Sequence, residues 1–502
     1  MIFFRIILIA SSLLLITFQK SVNATGFDSQ FPDTAWFFTF GGSSFEKFNS
    51  VTQAMDSSYL LAGSTNGYGP GGISAYLVRV DKNGRHIWSR VLGGHQIDQF
   101  NSVCLLSDGN IISAGYTNST GAGGYDGYIV KTDTTGNVIW EKTFGGSDWD
   151  FINEILLLQN GSLLLAGNTY SASSGGSDAW LLNIDSNGQL LWEKKFGTSS
   201  DEIFKSVAIM ASNIYACGYA KHATGFSEGL IIKTDFNGNQ ISDFRFSLLG
   251  NDELNHVISL SSGRLLTCGK AINPANPGND ELWIMMVDSN GSSSVIPTTL
   301  SPESDYLNRC LELNNGNLAF IGRKDPSGFG SGSIFTFLLD SSGNYIESHS
   351  FGGANDEEGL GMIESLNGRI AMCGYTYSYG RGNQDAVLVL LSSEGIKHDY
   401  IYVPMVFAET LSPISIEEIE NSNKYFSVRY DQSLSEIGIS NESGKGFILK
   451  LYNIHGQETL REIRNDEMFH NISTSGLSRG VYIGEIITSE GKRSSFRFIK
   501  SN

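Results

Sequence analysis

Most of the chain is written in short apolar runs of five to seven residues, rich in β-branched and aromatic side chains and separated by clusters of Gly, Asp, Asn and Ser. Such runs bounded by turn residues predict β-strands, and no segment sustains the 3.6-residue spacing of a buried helix face. The pattern repeats. Asp81, Asp133, Asp185, Asp235, Asp288 and Asp340 each open a D-x-x-G turn, and Ser392 opens a seventh, Ser-Ser-Glu-Gly. A second marker, Gly63, Gly115, Gly167, Gly218, Gly269, Gly322 and Gly374, follows a short apolar strand in each copy. Both markers recur at 50 to 53 residues and both count seven copies.

One copy reads as four strands. In the second, Asn101 to Leu106 is a first strand, Ile111 to Tyr116 a second, Tyr128 to Thr132 a third and Val138 to Phe144 a fourth, with a Gly-rich loop around Gly121–Gly124. Four antiparallel strands per unit of this length describe a propeller blade, and closing seven of them into a ring removes exposed sheet edges. The expected fold class is therefore all-β: a seven-bladed β-propeller over residues 25–404. An open solenoid is the other arrangement such repeats allow. The strand Trp36–Phe40 resembles a fourth strand and is placed to complete the last blade; Asp399–Val403 could fill the same position.

The period is lost after residue 404. Residues 405–423 read as a linker, with Pro413 and the acidic run Glu417-Glu418-Ile419-Glu420. Strand-like segments at Lys424–Val428, Gly446–Asn453, Val481–Thr488 and Arg493–Lys500 predict a small C-terminal β-sandwich, Ig-like in size, over 424–502.

At the other end, residues 1–24 read as a signal peptide. Arg5 supplies a positive charge, Ile6 to Phe18 an apolar run too short to span a bilayer comfortably, and Val22-Asn23-Ala24 a small-x-small cleavage site. No Cys follows the run, which argues against a lipid-anchored form, and no other stretch is long and apolar enough to span a membrane. The chain has 58 Gly, 9 Pro and a net charge of −18. The glycines suit tight turns, and the acidity disfavours nucleic acid as a partner.

The repeat resembles those of secreted bacterial β-propeller proteins carrying W-x3-F-G-G, A-G-x-T and G-G-x-D-A segments. Here these are Trp140…Phe144-Gly145-Gly146, Ala166-Gly167-Asn168-Thr169 and Gly175-Gly176-Ser177-Asp178-Ala179. Copies five and six depart most, lacking the Trp and the Gly-Gly around Ser293–Leu300. The last 80 residues or so resemble the C-terminal sorting domain (type A-like) of cargo for the bacterial type IX secretion system. The matching segments are Phe447–Gln457, Ile472–Tyr482 and Gly491–Lys492 through Phe498-Ile499-Lys500. A Pro-Asn-Pro common near the start of that domain is missing, and Arg497 stands where the family often has Lys. The resemblance implies that the type IX machinery is a partner of residues 424–502. It also implies export to the medium or to the outer-membrane surface.

No H-E-x-x-H, C-x-x-C, P-loop or G-x-S-x-G motif is present, so no catalytic residue, cofactor or metal ligand is assigned. Each copy has a carboxylate before its first strand: Glu46, Asp98, Asp150, Glu202, Asp252, Asp305 and Glu357. These form either a ring at one channel mouth or a set of anchors accepting backbone N–H bonds. The D-x-N-G turns at Asp81, Asp185 and Asp288 read as Asx-type hairpin turns rather than calcium loops. Cys217, Cys268 and Cys373 occupy a slot that other copies fill with Ala62, Ala114 and Ala166, so they read as packed free thiols.

Function is sought where the copies differ. The inner-strand slot that holds Ser50, Ser102 and Ser206 instead holds Glu154, His256 and Arg309 in copies three, five and six. The loops between second and third strands carry Tyr68, Tyr125, Tyr170, Phe226, Tyr377 and Tyr379. Glu154, His256, Arg309, Tyr68, Tyr125, Tyr170 and Tyr377 are therefore the candidate ligand-binding residues. The expected function is a secreted or surface-displayed binding and adhesion protein with a glycan or protein ligand. A polysaccharide-degrading enzyme and a structural cell-envelope component are the alternatives.

Overall fold

The computed structural model describes residues 35–223, 225–248, 250–272, 279–297, 304–325, 331–391, 406–407, 426–431, 436–441, 447–453, 458–464, 469–474, 476–477, 480–488 and 493–500. The expected signal peptide, the segment Asp399–Val403 and most of the expected linker 405–423 lie outside the described residues. The chain divides into two compact units, Met1–Glu409 and Thr410–Asn502. Among the described residues no helix is long and apolar enough to cross a membrane.

The first unit is all-β and consists of repeated four-stranded antiparallel sheets in a β-propeller arrangement; the described residues contain seven such sheets. In the second, the strands are Asp98–Leu105, Ile111–Thr117, Asp126–Thr132 and Val138–Phe144, hydrogen-bonded in chain order. Burial explains this order. The second and third strands bury nearly every residue, because they are covered by neighbouring sheets on both faces. The fourth strand is the partly exposed rim, and the first alternates between buried and half-buried positions. Phe48 and Phe100 are fully buried and stack on Tyr76 and Tyr128 of the third strands at centroid distances of 5.7 and 5.8 Å. Burial of each such ring contributes roughly 1.5–3 kcal/mol.

Both repeated glycines have a steric reason. The first strand of every copy carries a bulge one residue before the variable slot, as between Phe48 and Ser50 or Ile152 and Glu154. The bulge pushes a carbonyl against the second strand. A Cβ at Gly115 would lie 2.0 Å from Gln99 O, and the other six glycines of that series face the same obstacle at 1.8–2.0 Å. The glycine of the D-x-x-G turn adopts positive φ, +82° at Gly136 and +74° at Gly188. The Cβ missing from Gly136, Gly188 and Gly238 would meet the rings of Trp88, Trp140 and Trp192 from the preceding sheet. That contact couples the turn signal to the Trp signal. Asp81 and Asp185 each accept two backbone N–H bonds within their own turn, as Asx-type hairpin turns do. In the fifth sheet, where the Trp is missing, the fourth strand shrinks to Ser293–Val295.

The strand Ala35–Phe40 pairs antiparallel with Asp385–Leu391 and so takes the fourth place in the last sheet. Its own outer edge pairs in parallel with Val406–Phe407, the first two described residues of the expected linker. Last and first sheets are joined: Tyr59 Oη and Ser365 Oγ lie 2.8 Å apart, Gln53 accepts the Leu366 N–H at 2.6 Å, and Gln384 donates to Glu46 O at 3.0 Å. Phe38 and Phe40 lie in one buried cluster with Phe48, Tyr59 and Leu388.

The second unit contains a three-stranded sheet, Phe426–Asp431, Glu436–Asn441 and Phe469–Ser473. It also contains a four-stranded sheet ordered Glu458–Arg464, Phe447–Asn453, Gly480–Thr488, Arg493–Lys500. Ile437, Ile439 and Ile472 of one share a buried cluster with Leu449, Leu451 and Ile486 of the other. Three of these seven strands, Glu436–Asn441, Glu458–Arg464 and Phe469–Ser473, are not apparent from the strand-like segments of the sequence.

Candidate functional site

The seven repeated carboxylates are almost completely buried, at 0–3% exposure, and do not form a ring at a channel mouth. They fasten chain segments. Glu46 accepts from Gly42 N, Thr65 Oγ1 and Gly67 N; Glu357 accepts from Gly353 N, Thr376 Oγ1 and Ser378 N. Asp98 and Asp150 bond to the same three places in their copies, and Glu202, Asp252 and Asp305 hold fewer of them. Burial pushes Glu46 and Glu357 above the usual carboxylate range, and these hydrogen bonds offset only part of that.

The variable slot has a structural task that its sequence does not reveal. Ser50 Oγ accepts the N–H of Val103, Ser102 that of Ile155 and Ser206 that of Val257, each at 3.2 Å. Glu154 Oε2 accepts from Val207 N at 3.0 Å, and His256 Nδ1 from Cys310 N at 3.3 Å. Every slot side chain that can accept a hydrogen bond thus ties its inner strand to the next. The bulge residue just before it completes the seam. Asn49, Asn101, Asn153, Asn255 and Asn308 donate Nδ2 to Phe100 O, Ile152 O, Phe204 O, Leu307 O and Gly359 O at 2.7–2.8 Å. These asparagines escape a search for differences between copies because they are nearly invariant. Their signal was the recurrence of Asn at 49, 101, 153, 255 and 308.

Seam bonding does not exhaust the larger slot residues. Glu154, His256 and Arg309, from sheets three, five and six, converge. Arg309 Nη1 pairs with Glu154 Oε1, and His256 Nε2 lies 3.6 Å from the same oxygen. Burial opposes ionisation of Glu154, but the guanidinium and imidazole beside it outweigh that and hold the carboxyl below the usual range. Because His256 Nδ1 accepts a backbone N–H, its proton sits on Nε2. The Cys310 thiol lies 3.5 Å from Nδ1. Burial raises its pKa, and its contacts with Cys268 and His256 outweigh this and lower it. Cys217, Cys268 and Cys373 are buried free thiols; burial pushes Cys373 up to about 12.

A cavity of about 840 Å³ ends on this cluster. Glu154 and His256 line it, with Ile155, Val207, Ile209, Val257 and Ile258 along its walls. It also reaches Gln159, Asn160 and Ser212, in turns between first and second strands, and Phe236 in a turn between third and fourth strands. It therefore opens at the hairpin end of the propeller.

The candidate tyrosines sit at the opposite end, on the loops between second and third strands, and none of them lines the cavity. Tyr125 and Tyr170 are brought together by a residue not singled out in the sequence. Trp149 contacts Tyr125 at 5.9 Å and Tyr170 at 6.1 Å between centroids, both edge-on. Tyr116 and Phe151 extend the group behind Tyr125. Trp149 is 51% exposed, and its neighbourhood is Gly, Ser and Asp. Tyr377 pairs with Phe45, also exposed, and Tyr68 packs on Tyr76, so these two stand apart from the Trp149 group. Tyr379 packs edge-on against Phe37, and Phe226 is exposed. Trp149 lies in the connection between copies rather than in a variable loop. Its signal was an aromatic residue directly before the repeated Asp150.

No known family model matches the chain. A stretch of 200 residues is 27% identical to the regulatory protein FlaEY of Caulobacter vibrioides; the match covers 33% of this chain and 21% of that protein, about a fifth of its length. Among solved structures, a catalytically inactive virginiamycin B lyase from Staphylococcus aureus with quinupristin superposes with a TM-score of 0.44 and 11% identity. That match covers 71% of this chain and 100% of the lyase. A puromycin hydrolase gives 0.47 and 12% over 80% of this chain and 59% of its own. Sqt1 from Chaetomium thermophilum gives 0.39 and 13% over 72% and 99%. These neighbours are β-propeller-like proteins of unlike activities, and no chemistry passes from them to this chain.

Proposed function

We propose that this protein is an exported binding and adhesion protein, a seven-bladed propeller that holds a glycan on its loop end. A small Ig-like β-sandwich at residues 424–502 acts as its sorting domain for the type IX secretion machinery. The observation that carries the binding reading is the Trp149 group. Half-exposed rings of Tyr125, Trp149 and Tyr170 form one contiguous apolar strip, fixed by edge-on contacts and set among small polar residues. A flat rigid ring with polar neighbours suits the apolar face of a sugar and the hydroxyls around it. The repeated carboxylates, buried and spent on backbone bonds, offer no acid–nucleophile pair to the enzyme alternative.

Binding is tested by affinity electrophoresis of the mature chain in gels cast with a panel of polysaccharides, with and without Trp149→Ala. Export is tested by deleting residues 424–502: the truncated protein is expected in the periplasm, and its appearance in the medium at normal levels would contradict the sorting role. Residues 1–24 act as the signal peptide in this scheme, and the mature protein is released or held at the outer surface.

A further inference from the structure

We propose that the axial cavity is a second binding site, for an apolar small molecule carrying one hydroxyl group. The hydroxyl oxygen accepts from His256 Nε2–H and its proton is donated to Glu154. This site is at the hairpin end and does not depend on the glycan reading.

Three observations lead to this assignment. First, the seam needs only a serine: Ser50, Ser102 and Ser206 make the same bond at 3.2 Å that Glu154 and His256 make. The larger side chains therefore bring functional groups that the seam does not require. Second, His256 is held by Nδ1, which leaves Nε2–H directed at Glu154 across 3.6 Å, too far for a hydrogen bond. Glu154 Oε1 is already occupied by Arg309, and Oε2 accepts a single N–H and keeps a free lone pair. Among the described residues the cluster thus presents one spare donor and one spare acceptor at the cavity floor. Third, the walls above that floor are aliphatic, and about 840 Å³ is the size of a small-molecule pocket.

Charge selects the head group. Glu154 is balanced by Arg309, so an ammonium group would have to compete with an ion pair already made. A carboxylate would face Glu154 itself. A hydroxyl, both donor and acceptor and uncharged, matches what is left unpaired.

The test uses 2-naphthol and naphthalene as paired probes, followed by their fluorescence on titration with the mature full-length protein. The wild type is expected to bind 2-naphthol about tenfold or more tightly than naphthalene, as one buried hydrogen-bonded pair is worth. His256→Ser, which restores the serine of the other copies and keeps the seam bond, is expected to retain naphthalene binding and lose the preference. Ser259→Trp places a bulky ring on an exposed lining residue of the cavity and is expected to abolish binding of both probes. Failure of the wild type to bind either probe, equal binding of the two, or a preference that survives in His256→Ser would each overturn the proposal. Ser259→Trp guards against a misfolded His256 variant: undiminished binding there would place the probes elsewhere and overturn the cavity assignment.

Discussion

His256 accepts the backbone N–H of Cys310 through Nδ1 at 3.3 Å, where Ser206, one sheet earlier, accepts that of Val257 at 3.2 Å. The two side chains differ in size and chemistry and perform the same service. This separates the structural part of the slot from whatever the imidazole adds.

The separation predicts a graded response. His256→Ala leaves the Cys310 N–H buried without an acceptor and is expected to cost about 1–3 kcal/mol. His256→Ser is expected to cost less than about 1 kcal/mol. Urea midpoints of the two variants check this, and equal losses would show that the imidazole packs rather than bonds.

The two glycine series invite a direct comparison. In Gly115→Ala the new Cβ meets Gln99 O at 2.0 Å, backbone against backbone, and the bulge cannot yield without losing its seam bonds. A loss of roughly 3 kcal/mol is expected. Gly161→Ala is the control: its φ of +83° is unfavourable for alanine but nothing lies within 4 Å, so about 1–2 kcal/mol is expected. Thermal or urea unfolding of both variants decides the order.

Much of this was legible in the chain. The Asp and Gly markers, read as turn and strand ends, located the four strands of each copy to within a few residues, because each marker answers a local steric demand. The meeting of Glu154, His256 and Arg309 was anticipated only as three unlike residues in one slot; that they touch depends on inner strands facing each other across a common axis. The seam escaped notice because the slot was read for chemistry rather than for hydrogen-bond acceptors. Trp149 was missed because its exposure depends on a connection between copies, where no repeat pattern distinguishes a packed ring from an exposed one. The carboxylates were legible as a set, and only their burial decided between mouth and anchor.

Two buried carboxylates at different places should respond to pH with opposite sign. Glu357 sits above its ordinary value of 4.5 because burial outweighs its hydrogen bonds. The folded state therefore binds that proton more tightly than the unfolded chain, and the group's contribution falls as pH rises from 4.5 through its folded value. Glu154 is held below 4.5 against burial by Arg309 and His256, so its contribution is complete above 4.5 and is lost as pH falls through its folded value. The stability difference between wild type and Glu357→Gln is expected to shrink with rising pH, and that between wild type and Glu154→Gln to grow. Chemical denaturation at a series of pH values reads both slopes; slopes of the same sign would contradict the assignment.

The central claim is that the loop end binds a glycan through the Trp149 strip, and affinity electrophoresis of the mature chain beside its Trp149→Ala variant tests it most directly. The expected result is retardation of the wild type by at least one polysaccharide, unclouded by clearing of the polymer, with an affinity at least about tenfold weaker in the variant. Unchanged mobility of the wild type in every gel, or equal retardation of both proteins, would contradict the claim.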